Sequence, residues 1–555
     1  MSLVQGEPEK SEKGAAVMEQ VKDSSTPSTI DQSVRIYYAS EVAPWAKYMP
    51  GPSPQHLYQG FPVSWYRVAV VLLGCFVFFL SGANIAMMGS VSSVPGYLAE
   101  VGLTGSDHHT QVLIGVVNSI YWIGVIGGAL FSGWLSDKIG RRRAIVTAGI
   151  YGIVIIPILV ALQNFSWALV LRLLNGVFTG AFDSVGLNLS AESVHHRHRG
   201  IAIGAELVCA ASGAGLIYFI IYGLSEHTTG DVIWRFPLAF QLVWVFLILS
   251  LIYFIPESPR WLTQVGLVDD ARNVLLLYEG AEQNHEAGAT EAIVEANLTM
   301  IQDTIQAEIE NASSSTYWDM FTKQDSLKTA RRTWSALFIQ FGTQAMAGVG
   351  IVTGYGIKIF ETGGWSSQTA ALLSGVGIFT QAVFGIPGAL LADKIGRRRA
   401  MYYGAGIGAA LLMLIGMCGY FVDQNKDTNP ARAKSYGTVT VALTLVWCAV
   451  FGMTWLWCPF LYPSEIFPAS SRSRGSAVGI VGLATGSFFI NMVSPFLFQA
   501  IGYNVMFFFG GLSLILGTVC FLWMPETAKK TLEDINNLTL EIFDDTNKRQ
   551  AEFML

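Results

Sequence analysis

Two acidic residues, Asp183 and Glu206, stand inside long apolar runs. A charge at the centre of a bilayer costs about 2.5–3.5 kcal/mol on insertion scales. Acids in such runs therefore face a protein interior, where they bind a polar ligand or take up and release a proton. Both are candidate proton carriers. Arg172 is about three turns from Asp183 along the same run, too far to neutralise it within one helix. A second set of charges sits at the ends of the runs. Asp137, Arg141 and Arg142 follow the second run, Glu192 and Arg199 follow the fourth, and Glu257 follows the sixth. Asp393, Arg397 and Arg398, then Glu465 and Arg474, then Glu526 occupy the matching places further on. Opposite charges gathered at one surface predict a gate that locks when that side is closed and breaks when it opens. The bland alternative is topology signals and surface ion pairs worth about 0–1 kcal/mol each.

The elements that must position these residues are membrane helices. Of 555 residues, 52% are hydrophobic and 13% charged, against about 25% charged in soluble domains. Mean hydropathy is +0.44. A bilayer crossing needs about 20 apolar residues. Suitable stretches run near 67–89, 112–132, 144–162, 167–190, 201–223 and 236–255, then near 333–356, 368–391, 400–421, 438–461, 476–500 and 504–524. The sequence thus predicts an all-α membrane protein of twelve transmembrane helices in two six-helix halves, 67–255 and 333–524. A disordered tail (1–66), a central loop with short helices (256–332) and a second tail (525–555) complete it. Residues 1–30 contain no apolar core segment, so no signal peptide is expected. Lys138, Arg141, Arg142 and Arg143, then Arg197 and Arg199, Lys394 and Arg397–Arg399, and Arg472 and Arg474 fall in alternate loops. The positive-inside rule makes these loops, both termini and the central loop cytoplasmic. Lys426, Arg432 and Lys434 in the loop 422–437 are a mild exception. His195, His196 and His198 read better as a basic anchor beside Arg197 than as metal ligands. The sequons at Asn297 and Asn311 fall on the cytoplasmic side of this topology.

A repeat links the halves. Leu135-Ser136-Asp137-Lys138-Ile139-Gly140-Arg141-Arg142-Arg143-Ala144 answers Leu391-Ala392-Asp393-Lys394-Ile395-Gly396-Arg397-Arg398-Arg399-Ala400. Glu192 with Arg199-Gly200 answers Glu465 with Arg474-Gly475, and Pro256-Glu257-Ser258 answers Pro525-Glu526-Thr527. Duplicated halves suit a transporter that rocks one bundle against the other about a midplane site.

These signatures resemble the sugar porter (sugar transporter) family of the major facilitator superfamily, in its fungal-type members, over roughly 67–535. The superfamily loop motif matches Asp137-Lys138-Ile139-Gly140-Arg141-Arg142. The more specific signature after the sixth helix matches Pro256-Glu257-Ser258-Pro259-Arg260-Trp261-Leu262, and Pro463-Ser464-Glu465-Ile466-Phe467-Pro468 and Pro525-Glu526-Thr527 match two others. The resemblance implies the major facilitator fold and substrate binding near Gln344, Tyr355, Trp457, Asn491 and Asn84. It also shows an altered sugar site. Ala345 and Gly350 stand where the family usually carries a second Gln and an Asn, Leu207 stands for the Gln of the fifth helix, and Leu456-Trp457-Cys458-Pro459-Phe460 occupies the family's GPxxW stretch. Amide side chains offer donors and acceptors to several hydroxyls. Losing them leaves hydroxyls unpaired, at about 1–3 kcal/mol each. Asn84, which cannot titrate, holds the place of an Asp in proton-coupled members. Either coupling has moved to Asp183 or Glu206, or the carrier is uncoupled and its acids bind substrate.

The resulting expectation is alternating-access transport of a small polyhydroxylated solute (sugar, polyol or sugar-like acid), by secondary active or facilitated movement. Export of a small polar metabolite is the alternative, and a non-transporting sugar sensor is less favoured because the C-terminal tail is short. Enzyme motifs such as GxSxG, HExxH or a P-loop are lacking, so no enzyme and no cofactor are expected. The six cysteines have no metal-site spacing, and the net charge of −6 argues against nucleic acid. Partners are then the solute, protons if coupled, and the lipid bilayer. A functional monomer in the plasma membrane is the expected state.

Overall fold

The computed structural model describes residues 63–105, 107–193, 199–279, 287–310, 317–322, 329–467 and 472–528. Residues 1–62 and 529–555, Arg197, the His195–His198 stretch and Asn311 lie outside them, as do the side chains of Arg199 and Asp393.

The first half contains α1 (Val63–Val91), the short α2 (Pro95–Val101), α3 (His108–Ile139), α4 (Arg141–Val160), α5 (Phe165–Ser193), α6 (Arg199–His227) and α7 (Val232–Ile252). The central segment carries α8 (Pro259–Gln264), α9 (Val268–Glu279), α10 (Ala287–Glu310) and α11 (Tyr317–Thr322). The second half contains α12 (Thr329–Ala345), α13 (Val349–Gly354), α14 (Gly356–Thr362), α15 (Ser367–Ile395), α16 (Arg397–Asn425), α17 (Pro430–Thr454), α18 (Cys458–Ile466), α19 (Arg472–Ile501) and α20 (Val505–Trp523).

Side chains are sorted as a bilayer requires. Phe131, Phe246, Phe508 and Trp523 are exposed on the outside of the bundle, while Asn175, Glu206 and Ser487 are buried within it. Among the described residues ten spans are long and apolar enough to cross a membrane, and one of them, Arg474–Trp523, is two helices meeting at the turn Gly502–Asn504. The broken seventh segment, α12–α14, is additional to those ten, which brings the crossings to twelve.

Two helices expected to be continuous are interrupted. The stretch 333–356 is broken after Ala345, where Gly348 takes φ +91°, and again at Tyr355. The stretch 438–461 is broken over 455–457. Pro459, in the first turn of α18, has no N–H to give the carbonyl four residues back, which removes one hydrogen bond across the break between α17 and α18.

Within the first half α1 packs on α5, α6 and α7, and α3 packs on α5. A Cβ at Gly128 would fall 2.1 Å from the Val177 carbonyl oxygen, so glycine is what lets α3 and α5 approach so closely. In the second half α12 packs on α19, and α16 on α17 and α20. The halves meet chiefly through α6 with α15 and α3 with α19, pairs that a two-fold axis exchanges.

Candidate functional site

One end of the bundle carries the same clamp twice. In the first half the Arg141 guanidinium donates to both oxygens of Glu192, at 3.0 Å each, and lies 3.2 Å from Asp137. Glu257 accepts the backbone N–H groups of Arg141 at 2.9 Å, of Arg142 at 3.1 Å and of Ser258 at 3.0 Å. The Ser258 hydroxyl donates to Glu192 at 2.5 Å. Burial pushes the Glu257 carboxyl up, and those N–H groups with Arg141 pull against the shift. In the second half Arg397 donates to Glu465 at 2.7 Å, its backbone N–H donates to Glu526 at 2.8 Å, and the Thr527 hydroxyl donates to Glu465 at 2.6 Å. Arg142 caps the end of α7 through the Ile252 and Tyr253 carbonyls, and Arg398 caps α20 through that of Phe521.

Glycine makes each clamp possible. Gly140 and Gly396 take φ of +95° and +88°, and a Cβ on either would fall 2.5 Å from an oxygen of Glu257 or Glu526 respectively. The chain thereby leaves one helix, turns under the carboxylate and starts the next. The charges were expected to lock the halves to one another. Instead each clamp closes inside its own half, because this turn aims Arg141 and Arg397 back at the helices of their own bundle. Arg474 and Asp137, from different halves, both act on Tyr317 of α11. Burial pushes that phenol up, Asp137 adds to the shift and Arg474 opposes it. The Trp261 indole N–H, bonded at 3.0 Å to the Asp137 carbonyl, fastens the central segment to the same corner.

Between the halves lies a central cavity of about 140 Å³. Phe78, Tyr121, Trp122, Asp183 and Leu207 contribute from the first half, and Gln344, Gln381, Trp455, Phe460, Ser487 and Asn491 from the second. Its wall is mainly apolar and aromatic. Asp183 accepts a hydrogen bond from Ser81 at 2.8 Å through Oδ2, while Oδ1 has no partner. Arg172 does not serve it, since the guanidinium lies over the Tyr121 ring at 4.5 Å and bonds Asn175 at 3.3 Å. A second cavity of about 440 Å³ opens towards the other end of the bundle, lined among others by Gln111, Asn118, Tyr355, Lys358, Glu361 and Gln499. Two hydrogen bonds run between the cavities. Tyr355 donates to the Asn491 carbonyl at 3.0 Å, and Tyr218 of α6 reaches across the halves to the Thr353 carbonyl at 2.7 Å.

Of the expected site residues, Gln344, Asn491 and Asp183 meet at the central cavity. Tyr355 lines the second cavity instead. Asn84 is fully buried behind the wall, with neither amide atom hydrogen-bonded. Glu206 is also fully buried away from the cavity. Its carboxyl lies over Gly74 beside the Ser190 hydroxyl, and it makes no ion pair among the described residues. Trp457 is turned away from the cavity. Its indole N–H donates to the Met453 carbonyl at 3.0 Å and packs on Gly388. The break between α17 and α18 presents Trp455 to the cavity in its place. Trp455, Gln381, Ser487, Ser81 and Tyr218 were missed by sequence reasoning. Prolines at 459 and 463 were the available signal that the tenth helix changes register there. Among the described residues no group of three or more His, Cys, Asp or Glu could hold a metal ion.

Twelve helices in two related halves about a shared cavity define a membrane transporter of the major facilitator class, working by alternating access. A family model described as "Sugar (and other) transporter" matches residues 70–539, and the chain belongs to that family. It is 26% identical over 457 residues to the low-affinity glucose transporter HXT4 of Saccharomyces cerevisiae, covering 80% of this chain and 77% of that one. Identity to the sugar transporter STL1 of the same yeast is also 26%, over 79% of this chain and 74% of that one. Among solved structures, the proton:xylose symporter XylE bound to 6-bromo-6-deoxy-D-glucose superposes with a TM-score of 0.70 at 20% identity, covering 86% of this chain and 99% of that one. A partially occluded inward-open form of XylE from E. coli gives a TM-score of 0.67 at 19% identity, over 84% and 99% of the two chains.

Proposed function

We propose that this transporter carries a small polyhydroxylated solute across the plasma membrane and couples its movement to a proton held at Glu206. The observation that carries the reading is a cavity walled by both halves, with a carboxyl sealed in one of them. A solute in that cavity touches Gln344 and Asn491 on one side and Asp183 on the other, so rocking the halves exposes it to each face in turn. The names of the relatives, a glucose transporter and a sugar transporter, support a sugar or polyol as cargo, and the solved neighbour's title supports a proton as co-substrate. The clamps would then mark the cytoplasmic face, in keeping with the positive-inside rule. One chain supplies the whole pathway, which supports a functional monomer. Tyr355, Asn84 and Trp457 act in this reading from behind the contact surface, by positioning.

Export of a small polar metabolite is the second reading. Gly350, which lines the cavity with no side chain where the family carries an amide, fits export as well as it fits uptake. Vesicles offered one labelled hexose, pentose, polyol or sugar acid at a time, with and without an imposed pH gradient, test both. Accumulation of one of them with the gradient supports the first reading. If none enters vesicles that contain the folded protein, the first reading fails.

A further inference from the structure

We propose that the central cavity is built for a solute that bears a protonated amine beside its hydroxyls, an amino sugar or amino polyol, with Asp183 as the counter-ion. The inference rests on the cavity being the transport site and deepens that reading to a cargo class. The argument starts from charge. Asp183 is the single Asp, Glu, Lys, Arg or His among the residues lining the cavity. A carboxylate facing an apolar wall is costly unless a positive charge comes to it. The nearby cation on its own helix is engaged elsewhere, since Arg172 stacks on Tyr121 and bonds Asn175. The positive charge must therefore arrive with the cargo or as a bare proton.

The rest of the wall favours the cargo. Trp122 and Trp455, with other aromatic rings, enclose the cavity from both halves. Aromatic faces attract an ammonium group. On the second half's side of the wall Ser487 Oγ is buried without a hydrogen-bond partner, and Gln344 and Asn491 line the same side. Buried polar atoms left without partners in a cavity wall call for a ligand. The serine hydroxyl can donate or accept. A molecule with an ammonium at one end and hydroxyls at the other serves Asp183 and Ser487 at once. A neutral sugar can donate a hydroxyl to the carboxylate but brings no charge to offset it.

The test uses the full chain purified in detergent and then reconstituted. Thermal stabilisation by glucosamine, N-acetylglucosamine and glucose is compared on the unmodified protein, which needs no variant to fold. The account expects glucosamine to bind about ten- to a hundredfold more tightly than its N-acetyl form, the range of a charge-assisted hydrogen bond. In vesicles, Asp183→Asn removes that preference, so that glucosamine and N-acetylglucosamine compete equally for entry. Equal binding of glucosamine and N-acetylglucosamine overturns the proposal. So does an Asp183→Asn protein that moves neutral sugar but has lost its response to a pH gradient, because the positive charge is then a proton. In both of those outcomes neutral sugar still moves and the transport reading stands, whereas no movement of any of the three sugars removes both.

Discussion

The two halves of the molecule are alike at one end and different inside. Arg141 with Glu192 and Glu257 repeats as Arg397 with Glu465 and Glu526, down to the positive φ of Gly140 and Gly396 and the hydroxyl of Ser258 or Thr527 on the glutamate. The interiors diverge. Asp183 and Glu206 belong to the first half, whose helices α1 and α3–α7 are continuous. The second half has no such acid at the cavity, and its seventh and tenth helices are broken. Duplication has preserved the corners that hold each bundle rigid, and the insides have been divided between charge in one half and hinges in the other. A rigid half that carries the ions and a jointed half that closes over the solute is the working picture.

The largest effect expected from this comparison comes from cutting a clamp. Arg141→Ala strands Glu192, whose side chain is only 12% exposed, and removing one partner of a buried pair costs about 3–5 kcal/mol. Arg397→Ala strands Glu465, at 22% exposed, and should cost less. Melting of the two purified variants checks the order, and the reverse order would break the view that the first half is the more rigid. Next comes Gly140→Ala or Gly396→Ala. Each puts a Cβ both into a backbone region nearly reserved for glycine and against a carboxylate, at about 1–3 kcal/mol from the backbone alone. Similar losses in the two variants sharpen the claim that the clamps are equivalent; a loss in one alone contradicts it. Gly74→Ala should leave the bundle folded but displace the Glu206 carboxyl, read as weaker pH-driven accumulation with normal exchange. The smallest effect belongs to Tyr218→Phe. It removes one bond between the halves, worth about 0.5–1.5 kcal/mol, and should raise the exchange rate by about two- to tenfold. An unchanged rate would mean that the contact is no part of the gate.

Much of this was legible in the sequence. The halves, the clamp residues and the twelve crossings follow from hydropathy and from the repeated charged signatures, which are short-range patterns. The direction in which the clamps close was not, since the same charges pair within a half or across halves depending on the turn at Gly140, a backbone property. The helix breaks were hidden because hydropathy runs straight through Met346–Gly348 and Trp455–Trp457; the family resemblance points to Trp457, whereas Trp455 lines the cavity. Asp183 and Glu206 read alike as acids in apolar runs. Their separation is a matter of helix face. Leu207 lines the cavity, and Glu206, one residue and about 100° away around α6, points into its own half.

The central claim is that a proton held inside the first half drives movement of a solute held between the halves. The most direct measurement is accumulation of labelled solute in vesicles under an imposed pH gradient, with Glu206→Gln set beside the unmodified protein and exchange at equal concentrations run on both. The account predicts that the variant exchanges solute normally and accumulates none above the outside concentration. Accumulation equal to that of the unmodified protein would contradict it.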